Sequence, residues 1–254
     1  MQSFQDKVVA ITGGGSGIGR ETALAFACKG AKVSICDLNE GGGQETLRQI
    51  EALGAKGYFT RVDVRHEAEV QDWIRQTISQ LGGLHSAVNN AGIDGAVAFT
   101  DEYPEESFDQ VMDINVKGVW YGMKAQLAHM KNHGGGTIVN IASVAGFMSL
   151  PRLIAYVASK HAVIGMTRTA GVEYARFGIR VNAVCPSFTE TPMVSHSLDY
   201  PGAVLNVEKM AQINPSKRIA QAYEIANAIL YLCSDESSYI NAHPLVIDGG
   251  LSVV

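Results

Sequence analysis

Short β-rich runs alternate with longer helical stretches along most of this chain, which predicts a single α/β domain. The expected architecture is a doubly wound parallel sheet of about seven strands with helices on both faces. Two further observations support it. The strand candidates are apolar without a polar face, as in Val8, Val9 and Ile11. No Pro/Gly/Ser-rich linker divides the 254 residues, so one domain is the economical reading.

Taken in order, the strands are expected at 7–12, 31–36, 57–62, 84–89, 137–142, 179–184 and 244–247. Helical patterns occupy 17–28, 44–53, 67–81, 104–131, 155–177 and 221–232. The glycine triplets at 41–43 and 134–136 are expected in loops beside helix ends.

Composition narrows the function. Hydrophobic residues at 46% and charged residues at 18% exclude a disordered chain. A net charge of −5 with no basic cluster argues against nucleic acid, whose phosphates need a cationic footprint. No apolar run approaches the roughly 18 residues of a membrane span, and residues 1–7 lack the pattern of a secretory signal. Cys28, Cys36, Cys185 and Cys233 are widely spaced, so reduced, largely buried thiols in a cytoplasmic protein are expected. The histidines form no cluster with the cysteines, and no metal site is expected.

The first strand candidate runs into Thr12-Gly-Gly-Gly-Ser-Gly-Ile-Gly19 and then a helix. Glycines there permit a tight turn, close backbone approach to a pyrophosphate and close helix–strand packing. Free N–H groups and the macrodipole at the helix N-terminus favour an anion. The spacing, Gly13, Gly17, Gly19, departs from the general dinucleotide fingerprint. Asp37 closes the second strand, where a carboxylate can accept hydrogen bonds from the adenosine ribose and would repel a 2′-phosphate. Neither Ser16 nor Leu38 is a cation, so NAD is expected over NADP.

Tyr156 and Lys160 stand at i and i+4 on one face of a predicted helix. A phenol with a pKa near 10 is a poor proton carrier at neutral pH. A neighbouring ammonium is expected to lower that value, fitting Tyr156 for general acid–base work.

Together, Thr12-Gly-x-x-x-Gly-x-Gly19, Asn89-Asn-Ala-Gly92, Asn115, Ser143 and Tyr156-Val-Ala-Ser-Lys160 resemble the short-chain dehydrogenase/reductase family, from Lys7 to Gly250. The resemblance implies a Rossmann-like domain and hydride transfer between nicotinamide and a secondary alcohol or ketone. It assigns catalysis to Asn115, Ser143, Tyr156 and Lys160, with Ser143 on the substrate oxygen, Lys160 on the nicotinamide ribose and Asn115 positioning Lys160. It assigns the pyrophosphate and adenosine contacts to Gly13, Ser16, Gly17, Ile18, Gly19, Asp37, Leu38, Asp63 and Val64. The remaining cofactor contacts fall on Asn89, Ala91, Gly92, Tyr156, Lys160, Pro186, Thr189 and Thr191. Three departures stand out: Ser187 where the family usually has glycine, His161 where a small residue is usual, and Asn241-Ala-His-Pro244 in place of a Thr-Gly approach to the last strand.

Segments after the strand ends should form the substrate pocket, with Ser143, Phe147, Leu153, Tyr156 and Phe188 against the substrate and a lid near 188–212. Val144, Met148, Met193, Val194 and Leu198 belong to the same apolar set, as pocket wall or as lid packing. A cyclic, aryl or steroid-like alcohol or ketone fits such a lining. Residues 155–177 are apolar on more than one face, and the resemblance implies a homotetramer. Two other readings stand beside this one, a 3-oxoacyl-thioester reductase and a catalytically silent NAD-binding regulator. Asp37 counts against the first, and the presence of Ser143, Tyr156 and Lys160 against the second.

Overall fold

The computed structural model describes residues 3–198 and 206–254. Along the chain, β1 (Val8–Thr12) leads to α1 (Gly17–Ala27), β2 (Lys32–Asp37) to α2 (Glu40–Ala52), and β3 (Gly57–Arg61) to α3 (Glu67–Leu81). After β4 (Ser86–Asn89), α4 (Glu105–Met112) and α5 (Val119–Met130) are joined through a π-helical segment, Asp113–Gly118. β5 (Gly136–Ile141), α6 (Ile154–Tyr174) and β6 (Ile179–Pro186) follow. The two-residue strand β7 (Thr189–Glu190) precedes α7 (Pro192–Leu198) and α8 (Val207–Ile213). Its partner β8 (Ala220–Gln221), α9 (Ala222–Cys233) and β9 (Pro244–Ile247) complete the chain.

The main sheet has seven strands in the order β3-β2-β1-β4-β5-β6-β9, all paired in parallel. Both its faces are covered, which is why β1 is buried at all five positions and reads as an unbroken apolar run. One core holds Phe26 of α1, Ile50 of α2 and Ile229 of α9. The other holds Trp73 of α3, Met123 of α5 and Val163 of α6. Trp73 and Phe26 are fully buried, and truncating either to alanine costs about 3–5 kcal/mol. Strand order reverses between β1 and β4, and the crevice of such a sheet opens at that point, beyond the strands' C-terminal ends.

Most expected elements are present with ends shifted by a few residues, and three differences have physical causes. Glycines 41–43 do not form a loop. They make the first turn of α2, where the Asn39 side chain caps the helix by accepting a hydrogen bond from Gly42 N at 3.0 Å. The single helix expected at 104–131 is broken by the π segment, which hydrophobic periodicity does not register. Asn241, in the unusual segment before β9, is a structural staple. Its side chain accepts from Val181 N at 2.9 Å and donates to Gly171 O at 2.8 Å, tying β6 to α6.

Among the described residues no helix is long and apolar enough to cross a membrane. Cys36, Cys185 and Cys233 are buried, but Cys28 is exposed. No group of three metal-ligating side chains occurs among the described residues. His129, in the last turn of α5, and His133, just beyond it, lie four apart with their rings stacked at 4.0 Å.

Candidate active site

A cleft of about 400 Å³ lies at the switch point, running from Asp37, Leu38 and Asp63 past Gly17 and Ile18 to Ser143, Tyr156 and Lys160. Its floor begins in the glycine turn. Gly17 has φ +51°, a left-handed value that favours glycine, and a Cβ at Gly19 would stand 2.0 Å from the Gly13 carbonyl oxygen. That contact lets α1 start tight against the turn, with its N-terminus aimed into the cleft. Asn90 locks the turn to the end of β4 by donating through Nδ2 to the Thr12 and Gly13 carbonyls, each at 3.0 Å. Thr12 Oγ1 returns the tie by accepting from Asn90 N and Ala91 N.

At the adenosine end, the Asp37 carboxylate accepts from Gly15 N and from Asn39 N, both at 2.8 Å. These bonds fix the carboxylate at the cleft wall and leave further lone pairs for a diol. Asp63 also lines the cleft, paired to Arg65 at 2.6 Å, and that guanidinium holds its carboxyl below the usual range. Arg65 is a cleft residue that the sequence reading missed. Its signal was its place two residues after Asp63, in the loop leaving β3.

At the other end, Lys160 is 5% exposed and donates from Nζ to Ile141 O at 3.0 Å. Burial lowers its pKa to about 8. Its Nζ lies 5.4 Å from the Tyr156 ring centroid. Tyr156 departs from expectation: its phenol is pushed above the ordinary value, not below it. Desolvation is the larger cause, a hydrogen bond with Ser143 pulls the other way, and the Asp94 carboxylate adds a smaller upward push. The ammonium was expected to prevail, but desolvation of the buried phenol outweighs it. Ser143 itself is buried and fixed by Ala145 N, which donates to its Oγ at 3.1 Å.

Asn115 sits inside the π segment and is fully buried. Its amide grips both backbone groups of Ile93, accepting from N at 2.9 Å and donating to O at 2.8 Å. It also donates to Ser159 Oγ at 3.1 Å. The side chain is thus committed to Ile93 and to α6 beside Lys160, and makes no direct hydrogen bond with Lys160.

Of the expected cofactor contacts, Gly13, Ser16, Gly17, Ile18, Asp37, Leu38, Asp63, Val64, Ala91, Gly92, Pro186, Thr189 and Thr191 line the cleft. Gly19 lies beneath the turn instead. Asn89 does not line the cleft. Its side chain is turned into the core and bonded to Gln126 and Asn140, so Asn90 takes the place beside the cleft. The substrate contacts fare less well. Phe147, Leu153 and Phe188 do not border this cleft, and Phe147 is 44% exposed after the turn Val144–Gly146. Val144 packs into the core. Met193 and Val194 of α7 do line it, as does Ile93 directly after the Asn89-Asn-Ala-Gly92 motif, together with Gln110 and Ile114, which carry no motif. The expected lid at 188–212 lies partly outside the described residues, as does the side chain of Leu198.

The glycine cradle, the fixed carboxylate and the buried lysine fit an extended dinucleotide lying along the cleft. Comparison with known proteins decides the kinship. Residues 13–252 match a family profile described as enoyl-(acyl carrier protein) reductase. Levodione reductase of Leifsonia aquatica is 41% identical over 254 residues, covering 98% of this chain and 95% of the relative. The chain belongs to the short-chain dehydrogenase/reductase family. Cyclohexanol dehydrogenase of Acinetobacter sp. strain SE19 is 37% identical, covering 97% of this chain and 95% of its own. The crystal structure of NAD+-bound xylitol dehydrogenase superposes with a TM-score of 0.93 at 30% identity, covering 98% of this chain and 100% of that one. This short-chain dehydrogenase/reductase is an oxidoreductase of the alcohol dehydrogenase and ketone reductase type, working with a nicotinamide dinucleotide.

Proposed function

We propose that this enzyme interconverts a neutral, hydrophobic cyclic alcohol and its ketone, with NAD as the cofactor. One observation carries the reading: a single cleft holds Asp37 at one end and the Ser143, Tyr156 and Lys160 side chains at the other. The Asp37 carboxylate suits a ribose diol and opposes a 2′-phosphate, and the neighbouring Leu38 offers no cation. The NAD+-bound xylitol dehydrogenase, 30% identical, supports that choice.

A bound dinucleotide, held by the glycine turn, Asp37 and Lys160, would supply the hydride chemistry at the alcohol or ketone carbon. The chain's own groups handle the oxygen and its proton. Ser143 Oγ holds the substrate oxygen; Tyr156 as phenolate takes the hydroxyl proton during oxidation, and as neutral phenol gives its proton to the ketone oxygen during reduction. A phenol held above its ordinary pKa stays protonated at neutral pH, which prepares the bare site to protonate a ketone. Lys160 serves as cation and ribose contact beside Tyr156, and Asn115 acts as a positioning residue through Ile93 and Ser159.

The substrate class rests on the apolar part of the cleft lining, to which Ile93, Ile114, Met193 and Val194 contribute. The Asp94 carboxylate acts on Tyr156 from the same side, which disfavours an anionic substrate. Levodione reductase and cyclohexanol dehydrogenase, by name, act on ring compounds, and their kinship points the same way. A homotetramer is the proposed assembly, supported by Val172 on α6 and Trp120 on α5, 74% and 48% exposed. Four unpaired cysteines suit a reducing, cytoplasmic setting.

The test is a panel of cyclic, linear and carboxylate-bearing secondary alcohols with NAD, followed by NADH formation. Turnover confined to neutral ring alcohols is expected. Turnover with NADP alone, or with acyl thioesters and no ring alcohol, would overturn the reading.

A further inference from the structure

The segment from Ile93 to Phe99 leaves the cleft without regular secondary structure, yet its backbone is held at three points. Asn115 grips Ile93, Ser107 Oγ accepts from Ala96 N at 2.9 Å, and the Arg152 carbonyl accepts from Ala98 N at 3.1 Å. The first two ties run to the π segment and to α4. The third runs to the turn that enters α6, four residues before Tyr156.

Arg152 is built for that third tie. Its φ is +70°, a left-handed value that a residue with a Cβ adopts at a cost of about 1–2 kcal/mol. Such strain persists only where the surroundings hold it, and strained positions gather at functional sites. Two contacts hold it here. The carbonyl receives the Ala98 N–H, and the guanidinium carbon lies 4.5 Å from the centroid of the Phe99 ring. That separation is inside cation–π range. Phe99 is 55% exposed, so the ring spends apolar surface on the arginine rather than on the core.

We propose that Arg152 and Phe99 form a clasp that positions the substrate: it fixes the Ile93–Phe99 segment against the entrance of α6 and so sets affinity for the alcohol or ketone. The clasp takes no part in proton or hydride transfer. It also occupies the positive charge two residues before α6 with an aromatic face, leaving it poorly placed to draw in a carboxylate. The inference rests on the proposed function for its kinetic readout.

Arg152→Ala, Phe99→Leu and the double variant test it against a ring alcohol. Each single change should raise the KM for the alcohol about three- to tenfold, in line with a partly exposed cation–π contact and the order it imposes. The kcat should stay within about twofold and the KM for NAD unchanged, with Arg152→Lys falling between wild type and Arg152→Ala. The double variant should be no worse than the poorer single, because both remove one contact. Independently of activity, hydrogen exchange at the Ala98 amide should accelerate in Arg152→Ala and in Phe99→Leu. An unchanged KM, an equal rise in the KM for NAD, additive effects, or unchanged Ala98 exchange would overturn the clasp. If no alcohol is turned over by wild type, the functional reading fails, and the exchange measurement still decides the clasp.

Discussion

The cofactor side of the cleft and its substrate side are held in place by different means. On the cofactor side, the surface itself is backbone, made of strand ends, a glycine turn and a helix N-terminus, and the Asn90 and Thr12 side chains only lock one loop to the next. On the substrate side, position comes from side chains that tie irregular segments, as Asn115 does to Ile93 and Ser107 to Ala96. Backbone-built surfaces need particular residues at particular spacings, whereas side-chain ties tolerate many sequences. One half of the site is therefore fixed in chemistry, and the other is where specificity can vary without disturbing the sheet.

The sharpest way to break this contrast is to exchange the cofactor while leaving the substrate side alone. Two like charges about 4 Å apart repel by roughly 1 kcal/mol in water and about 4 kcal/mol at intermediate dielectric. Asp37 should therefore give a several-fold to thousandfold preference for NAD. Asp37→Ser with Leu38→Arg should narrow or reverse the preference, read as kcat/KM for both cofactors at one salt concentration. Little change in the KM for the alcohol is expected. A large change there would mean that the two sides are not separable.

A second test concerns Lys160, whose folded-state pKa of about 8 lies below its ordinary 10.5. Between those values the unfolded chain keeps a proton that the folded chain has released, so the lysine's contribution to stability rises with pH through that window. Below pH 8 the buried ammonium costs about 3 kcal/mol. Lys160→Met should remove that cost, raising the Tm of the cofactor-free protein by about 5 °C at pH 7 while abolishing turnover. The gain should shrink toward pH 10. A lower Tm at pH 7 would show that the Ile141 contact outweighs the desolvation.

Between the two sides stands Asn115, and this residue shows how far the sequence could be read. The parallel sheet, the glycine turn, Asp37 and the Tyr156–Lys160 pair were legible, because each depends on a periodic pattern or a fixed spacing, and Ser143 was legible through the family resemblance. Asn115 was legible as a residue but not as a device. Its grip on Ile93 depends on a π segment that leaves no trace in hydrophobic periodicity. Asn89 misled for a related reason: a strand-end asparagine reads the same whether its amide faces the cleft or, as here, the core. Phe147 and Leu153 follow a strand end and are apolar, but neither property says where a side chain points. Asn115→Ala should leave Ile93 N unpaired and cost about 2 kcal/mol of stability, with both kcat and the alcohol KM impaired. A Tm and kinetics equal to wild type would remove its positioning role.

The smallest effect is expected from chelation. Activity should stay within about a factor of two in EDTA, since no group of three metal-ligating side chains occurs among the described residues. Full loss in EDTA, restored by zinc or magnesium, would place a metal in the reaction. Restoration that also depends on His129 and His133 would locate it at the stacked pair beyond the cleft.

The central claim, that Tyr156 moves the proton while the rest of the cleft binds, is tested most directly by Tyr156→Phe. The substitution deletes one oxygen from a cleft whose cofactor wall is otherwise intact. The measurement pairs kcat/KM for a ring alcohol with NADH affinity by fluorescence titration, on the same preparation. The account predicts a loss of kcat/KM of at least about a hundredfold, some 2.7 kcal/mol in transition-state stabilisation, with NADH affinity within about threefold of wild type. A variant that keeps more than about a tenth of wild-type kcat/KM, a loss below roughly 1.4 kcal/mol, would contradict it.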